Sequence, residues 1–205
     1  WDYHAHNGYY RGSGEVWTPE EGLRKIKRHG LAGLGIANKV EFNHPNHSWI
    51  PVARKTIDQV IQEKKAKGTL LLGIELDIGH PSGTTVLDED YLVYLDYVIA
   101  GPHNQPVQTL MWNDLDEEEL GEYFDSYCNI LVNSLENPKN PVDIWAHPFL
   151  QEIEYTGSKY ERWLQSIFDD VLEVCVQREI ALEINEKYFR RQYPPDISAS
   201  WWKSN

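Results

Sequence analysis

Short apolar runs of strand length alternate with helical segments along almost the whole 205-residue chain. After a first strand at the N-terminus, these runs cover residues 31–37, 70–76, 97–100, 142–146 and 180–184. Such alternation favours parallel strands joined by right-handed crossover helices. The runs are apolar throughout, which fits strands covered on both faces. The sequence therefore predicts an α/β fold, with a barrel and a doubly wound sheet both open at this point.

The helical segments have recognisable ends. A Thr, Asp or Ser followed three residues later by Glu is typical of a capping box, and proline is favoured in the first turn. These signals predict helix N-termini at Thr18 with Glu21, at Pro51, at Asp116 with Glu119, and at Ser158 with Glu161. Gly30 and Gly68 predict the ends of the first two helices. Because no linker or change of composition interrupts the pattern, we expect residues 1–205 to form one domain.

Composition and charge exclude several classes of protein. The formal net charge is −13 at pH 7, and 41% of the residues are hydrophobic. Nucleic-acid-binding proteins need basic residues to displace phosphate counterions, so duplex nucleic acid is not an expected partner. The sequence contains no run of eighteen apolar residues, so it predicts no membrane-spanning helix. Cys128 and Cys175 lie in helical patterns without CxxC spacing, which favours a reducing, cytoplasmic setting.

Polar side chains gather at the carboxyl ends of the strands. Asp2, His4 and His6 alternate along the first strand and so project to one face. The later strands deliver, in chain order, Asn38 with Lys39, Glu75, His103, His147, and Glu183 with Asn185. In a (β/α) barrel these ends converge on one mouth, whereas in an open sheet they spread along a ridge. Convergence of four histidines and a glutamate favours a barrel with a metal site at its mouth.

Each of these residues alone also has an ordinary structural explanation. A carboxylate at a buried strand end, such as Glu75, needs either an ion pair or a metal. His103 and His147 are each as consistent with a hydrogen-bonded core histidine as with a ligand. Taken together, the set indicates a metal site more strongly than any one member does. Residues expected to orient the histidines, rather than to bind metal, are Asp2, Glu183 and Asn185.

Five short motifs are dispersed over the chain. They are Asp2-Tyr3-His4-Ala5-His6, Gly73-Ile74-Glu75, Gly101-Pro102-His103, Ala146-His147-Pro148 and Glu183-Ile184-Asn185. In order and spacing they resemble the D-x-H-x-H, G-x-E, G-S-x-H (here without its serine), H-P and E-I-N motifs of the polymerase and histidinol phosphatase (PHP) family of metal-dependent phosphoesterases. The resemblance implies a distorted (β/α)7 TIM-like barrel that holds two or three divalent ions at its mouth.

The resemblance also implies a set of ligands. His4, His6 and Glu75 would hold one metal, and Glu75 would bridge to a second metal held by His103 and His147. Imidazole and carboxylate ligands suit zinc, iron and manganese alike, so the identity of the ions stays open.

Two departures from the family pattern affect the same third metal position. Family members usually have Asp-His after the second strand, where this chain has Asn38-Lys39. They often have a histidine or acid five or six residues after the second histidine of the opening motif, where this chain has Arg11 and Gly12. A lysine beside a metal centre repels a further cation, so we expect the third site to be lost or replaced. Our hypothesis is that Lys39 and Arg11, as catalytic cations, bind the substrate phosphate together with Asn38. The alternative is that Lys39 marks a decayed active site.

The last motif of the family, D-x-H after the seventh strand, is absent from the sequence. His147 is the last histidine before Asn205. Either the chain is incomplete or it lacks an Asp ligand to the first metal, and we expect a chain incomplete at both ends.

The function expected from these features is hydrolysis of a small phosphomonoester by attack of metal-bound hydroxide. The segments around Glu75 and His103 are similar to the histidinol-phosphatase branch of the family. Two alternatives are hydrolysis of another bond, for instance an amide, and a catalytically decayed PHP module that serves as a scaffold. The oligomeric state does not follow from the sequence.

Overall fold

The computed structural model describes residues 1–8, 16–40, 45–66, 69–78, 80, 82–103, 115–148 and 161–184. Within these ranges, strands and helices alternate as the sequence predicts. Their bounds, in chain order, are β1 Asp2–Ala5, α1 Pro19–His29, β2 Leu34–Val40, α2 Ile50–Lys64, β3 Leu70–Ile78, a 3₁₀ helix Glu89–Tyr94, β4 Tyr97–Pro102, α3 Glu117–Glu136, β5 Ile144–Trp145, α4 Glu161–Gln177 and β6 Ala181–Leu182.

The two predicted capping boxes and the predicted end of the first helix at Gly30 are confirmed. Thr18 and Glu21 form a reciprocal capping box at the start of α1, and Asp116 and Glu119 form a second one at the start of α3. Gly30 ends α1 in the left-handed conformation, at φ 65°. Helix α2 instead ends at Lys65, with φ 52°, before the predicted Gly68. Gly68 and Ser158 lie outside the described residues.

The strands differ in length from the sequence expectation. Strand β2 begins at Leu34 rather than at residue 31, because the Leu31 amide closes the end of α1 by donating to the Ile26 carbonyl at 3.0 Å. Strands β3 and β4 continue two residues further toward the site, whereas β5 and β6 have only two residues each.

All neighbouring strands are parallel, and they lie in the order β1-β2-β3-β4-β5-β6. A doubly wound sheet reverses its strand order at a switch point, so this sequential order excludes that alternative. Right-handed crossovers in a sequential sheet place the connecting helices on one face. The other face is therefore left free to curl around a small interior.

One contact measures how far the sheet curls. Strands β1 and β6 occupy opposite edges, and in a flat sheet they would be about 24 Å apart, since neighbouring strands are separated by ~4.8 Å. Nevertheless, His4 Nδ1 on β1 lies 3.2 Å from Glu183 Oε1, just after β6. The described residues therefore form a curled half-barrel, and the seventh strand of the expected (β/α)7 barrel is not among them.

The two faces of β3 have different surroundings. Leu70, Leu72, Ile74 and Leu76 are at most 1% exposed and pack in one apolar cluster with residues of α1, α2 and β2. A second apolar cluster joins α3 and α4 to the other half of the sheet. The alternate residues of β3, including Glu75, lie on the concave face.

Tyr97 of β4 fills the concave interior beneath these polar residues. Its hydroxyl donates a hydrogen bond of 2.5 Å to the Tyr3 carbonyl on β1. Between β4 and β1, the ring passes Gly73 and Gly35, where an added Cβ would lie 2.4 and 2.1 Å from Tyr97 atoms. Glycine at both positions lets one phenol connect the two strands.

None of the helices in the described part of the chain is both long enough and apolar enough to cross a lipid bilayer.

Candidate metal centre

Glu75 is the centre of the cluster at the carboxyl ends of the strands. Glu75 is only 2% exposed, so its carboxylate is shielded from solvent. Its Oε1 lies 3.1 Å from His4 Nε2, 2.8 Å from His103 Nε2 and 3.0 Å from His147 Nε2. Its Oε2 lies 3.5 Å from His6 Nε2. Four strand ends, those of β1, β3, β4 and β5, thus place one carboxylate among four imidazoles.

The donor atoms divide into two groups that share Glu75. One group consists of His4, His6 and Glu75, and the other of Glu75, His103 and His147. Within each group, all donor atoms lie within 4.8 Å of one another. Tetrahedral zinc, with bonds to nitrogen and oxygen of ~2.0–2.1 Å, keeps its ligand atoms roughly 3.3–3.4 Å apart. Each group could therefore hold a divalent ion.

The second group has the clearest need for a cation. His103 Nε2 and His147 Nε2 lie 3.1 Å apart, and both face the same oxygen of Glu75. A neutral imidazole nitrogen without a proton carries a lone pair, as does a carboxylate oxygen. Without a metal, hydrogen bonds can join these three atoms only if one histidine is charged or carries its proton on Nε2. A divalent ion would satisfy all three lone pairs at once.

The electrostatics of the first group are dominated by two carboxylates on either side of His4. Burial alone lowers the pKa of His4, but its hydrogen bonds to Glu183 and Glu75 outweigh burial and raise the pKa to about 10. Burial by itself would raise the pKa of Glu75. The contacts with His103, His147 and His4 outweigh burial and hold this pKa well below its usual range. A cation bound at His4 Nε2 would take the place of one proton.

His6 has a different environment. Burial lowers its pKa, and the positive charge of Lys39 acts in the same direction. Its backbone carbonyl accepts a 2.6 Å hydrogen bond from the indole Nε1 of Trp17. Its ring Nδ1 is buried and has no hydrogen-bond partner among the described residues. The neutral ring is in the form required of a metal ligand.

Two of the three residues expected to orient the histidines lie in the described part of the chain. Glu183 contacts the His4 ring and also accepts a hydrogen bond of 2.5 Å from the His147 amide. Asp2 is exposed, and its Oδ1 accepts a hydrogen bond from the His4 amide at 3.0 Å, so it contacts backbone rather than a ring. Asn185 lies outside the described residues.

The structure separates the residues expected to bind substrate. Lys39 is opposite Glu75 in the register between β2 and β3. Asn38, its neighbour on β2, lies on the opposite face of the sheet and is 0% exposed. Its Nδ2 donates to Asn7 Oδ1 at 2.6 Å, and its Oδ1 accepts from the Asn7 amide at 2.9 Å. Asn38 therefore fixes the chain directly after His6, and Arg11 lies outside the described residues.

Three residues that support the site were not predicted from the sequence. Asp77 is 3% exposed, and its Oδ1 accepts a hydrogen bond of 2.9 Å from the His103 amide. Its position two residues after Glu75, on the same face of β3, is the signal that could have identified it. Asn7 and Trp17, which bind Asn38 and the His6 carbonyl, carried no such signal, because their partners are distant in sequence.

A scan against protein-family models finds no match to this chain, and neither does a search of curated protein sequences. Among solved structures, the fold is similar to that of the histidinol phosphate phosphatase from Lactococcus lactis subsp. lactis, determined in complex with zinc, L-histidinol and phosphate. The TM-score is 0.68 at 20% sequence identity, and the match covers 96% of this chain and 78% of the phosphatase. The α/β half-barrel described above is thus similar in fold to a zinc-containing phosphatase.

Proposed function

We propose that this protein is a metal-dependent phosphoesterase that hydrolyses a small phosphomonoester. The observation that carries the proposal is the pair of ligand groups that share the buried Glu75 at the mouth of the half-barrel. A phosphatase of similar fold that was solved with zinc and phosphate supports the same reaction class. Together with the motif resemblance, these findings favour membership of the PHP family.

Each ligand has a defined task in this proposal. His4 and His6 would hold one ion together with Glu75, and His103 and His147 would hold a second together with the same carboxylate. When bound there, divalent ions would supply Lewis-acid chemistry, lowering the pKa of a bound water and offsetting the charge that develops at phosphorus. Glu75 would serve both groups, because its Oε1 lies 3.1 Å from His4 Nε2 and 2.8 Å from His103 Nε2.

Lys39 is proposed to bind the substrate phosphate. It lies opposite Glu75 and close enough to His6 to influence the pKa of that ring. An ammonium group at this point supplies a positive charge where the family resemblance implies a third ion. Arg11 is proposed as its partner, by the resemblance alone. A substrate like histidinol phosphate, with one phosphoryl group on a small organic molecule, fits this scheme.

The test of the function is metal content together with phosphatase activity. We expect about two zinc, manganese or iron ions per chain in the parent and hydrolysis of phosphomonoesters in a panel that includes histidinol phosphate. His147→Ala should lose metal and activity, whereas His29→Ala, at an exposed position on α1, should keep both. Parent protein without bound metal would overturn the proposal.

Two other outcomes would replace the proposed reaction with an alternative. Full metal occupancy without hydrolysis of any phosphoester would indicate the scaffold role. Hydrolysis of an amide substrate without competition by inorganic phosphate would indicate the other hydrolase class.

The role of Lys39 has a separate test. Lys39→Met should weaken inhibition by inorganic phosphate and leave metal content unchanged, and Lys27→Met, at an exposed position on α1, is the matched control. If Lys39→His gains a third ion and becomes more active, Lys39 marks a decayed site instead.

A further inference from the structure

Glu183 occupies a position that links the two ligand groups. It follows β6, at the edge of the sheet, and its amide donates a hydrogen bond of 3.0 Å to the Trp145 carbonyl on β5. This bond fixes the backbone, so the side chain starts from a defined point and extends toward β1. Its side chain contacts one member of each ligand group.

The two oxygens of Glu183 have different partners. Oε1 lies 3.2 Å from His4 Nδ1, in the group of His4, His6 and Glu75. Oε2 accepts the His147 amide at 2.5 Å, in the group of Glu75, His103 and His147. One carboxylate outside both groups therefore contacts one member of each.

The contact with His4 selects which ring nitrogen is available to a metal. A carboxylate oxygen can only accept a hydrogen bond, so Nδ1 carries the proton. Nε2, on the far side of the ring, is then the nitrogen that faces Glu75 at 3.1 Å. A carboxylate behind a histidine in this way also limits rotation of the ring and makes it a better donor.

The contact with His147 stabilises an unusual backbone conformation. His147 has φ 31°, in the left-handed region that residues other than glycine rarely adopt. Its ring reaches Glu75 Oε1 at 3.0 Å from that conformation. Because the amide bonds to Glu183, the cost of the left-handed conformation is offset at the point where it arises.

We propose that Glu183 is a positioning residue that couples the two metal sites, so that its loss weakens binding at both. This inference rests on the proposed function, because it requires two metal sites to exist. Glutamine at this position has one acceptor oxygen and an NH2 group that cannot accept. It can therefore keep only one of the two contacts, and its neutral amide oxygen accepts that hydrogen bond more weakly than a carboxylate does, so both sites lose support.

The test measures each site separately. In the background His103→Ala, zinc titration reports the first group, and in the background His6→Ala it reports the second. Adding Glu183→Gln should weaken zinc binding in each background by roughly 10- to 100-fold, the usual effect of removing a partner of a liganding residue. Glu173→Gln, on the exposed side of α4, is the matched control and should change neither titration.

A spectroscopic measurement separates positioning from simple loss of stability. The visible spectrum of the cobalt-substituted protein depends on ligand geometry, and Glu183→Gln should change it in both backgrounds while circular dichroism stays unchanged. Glu183→Asp, which keeps two acceptor oxygens, should recover part of the affinity at both sites. Weakening in only one background would overturn the coupling but leave the proposed function intact. Failure of the parent to bind metal would overturn both.

Discussion

The two faces of β3 are almost equally buried, yet they bury opposite kinds of chemistry. On the outer face, Leu72 and Ile74 are 0% exposed and contact other apolar side chains. On the concave face, Glu75 and Asp77 are 2% and 3% exposed and contact imidazoles and backbone amides. Burial of apolar groups stabilises a fold by itself, whereas a buried carboxylate costs free energy unless charged or polar partners surround it. The outer face thus supports the fold, and the concave face concentrates the chemistry.

Glu75→Gln should give the largest effect. It removes the negative charge shared by both ligand groups while nearly preserving side-chain volume, so metal content should fall from about two ions per chain to almost none, and phosphatase activity should be lost. Elemental analysis and the phosphatase assay measure the two effects. The matched change Ile74→Val, one residue away on the outer face, should leave metal content unchanged and cost ~0.5–1.5 kcal/mol of stability.

Leu72→Ala is expected to act in the opposite way. It opens a cavity in the outer cluster, and the free energy of unfolding should fall by about 2–5 kcal/mol, measured by urea denaturation. Zinc affinity of the folded fraction should stay at the parental value. A large loss of affinity without loss of stability would contradict the division between the two faces.

Asn38 is a buried polar residue on the outer face of β2, which is otherwise apolar, and Asn38→Leu tests its role. The change leaves the Asn7 amide and side chain without their buried partner, so stability should fall by about 1–3 kcal/mol. Because Asn7 directly follows His6, zinc binding should also weaken in the His103→Ala background, which reports the first group. An unchanged zinc titration would show that Asn38 supports the fold alone.

Tyr97 is a buried aromatic residue on the concave face, and Tyr97→Phe tests the role of its hydroxyl. It keeps the ring that fills the interior and removes the hydroxyl bonded to Tyr3, which precedes His4. We expect a loss of ~0.5–1.5 kcal/mol in thermal or urea unfolding. Tyr94→Phe, on the 3₁₀ helix away from the site, serves as the control. A change of the same size in both variants would argue against a specific role for the Tyr97 hydroxyl.

Alkylation of the two cysteines on helices α3 and α4 should have the smallest effect on the metal centre. Burial raises the pKa of the Cys175 thiol to about 12, and burial together with the hydrogen bond to Asp170 raises that of Cys128 to about 12. A raised pKa means that little thiolate exists at pH 8, so iodoacetamide should react slowly and the rate should climb as the pH approaches 12. Metal content should not change on alkylation. Rapid reaction at pH 8 with loss of metal would place a thiol in the site.

Much of the fold could be predicted from local patterns. The capping boxes at Thr18 and Asp116 specify helix starts because their partners lie three residues away. The bounds of β5 and β6 could not be predicted, because apolar residues near 142–146 and 180–184 are also used to pack against helices, as Val142 and Ile180 do. Pairing with a neighbouring strand, rather than the apolar run itself, sets where a short strand begins and ends.

The candidate site was predictable to a different degree. His4, His6, Glu75, His103 and His147 were identified by residue type at strand ends, and the structure brings them into one cluster. The separation of Asn38 from Lys39 follows from side-chain alternation along β2, which places neighbouring residues on opposite faces of the sheet. The roles of these residues toward metal and substrate remain predictions.

By itself, the sequence determined the alternation of strands and helices, the caps that begin two helices, and the kinds of ligand atom that gather at one end of the sheet. Those properties depend on neighbours a few residues apart. Only the tertiary structure decided that the strands follow one another in order, that the sheet curls until His4 meets Glu183, and that this carboxylate contacts both ligand groups. Such contacts join residues up to 179 positions apart, and no local pattern encodes the distance between their side chains.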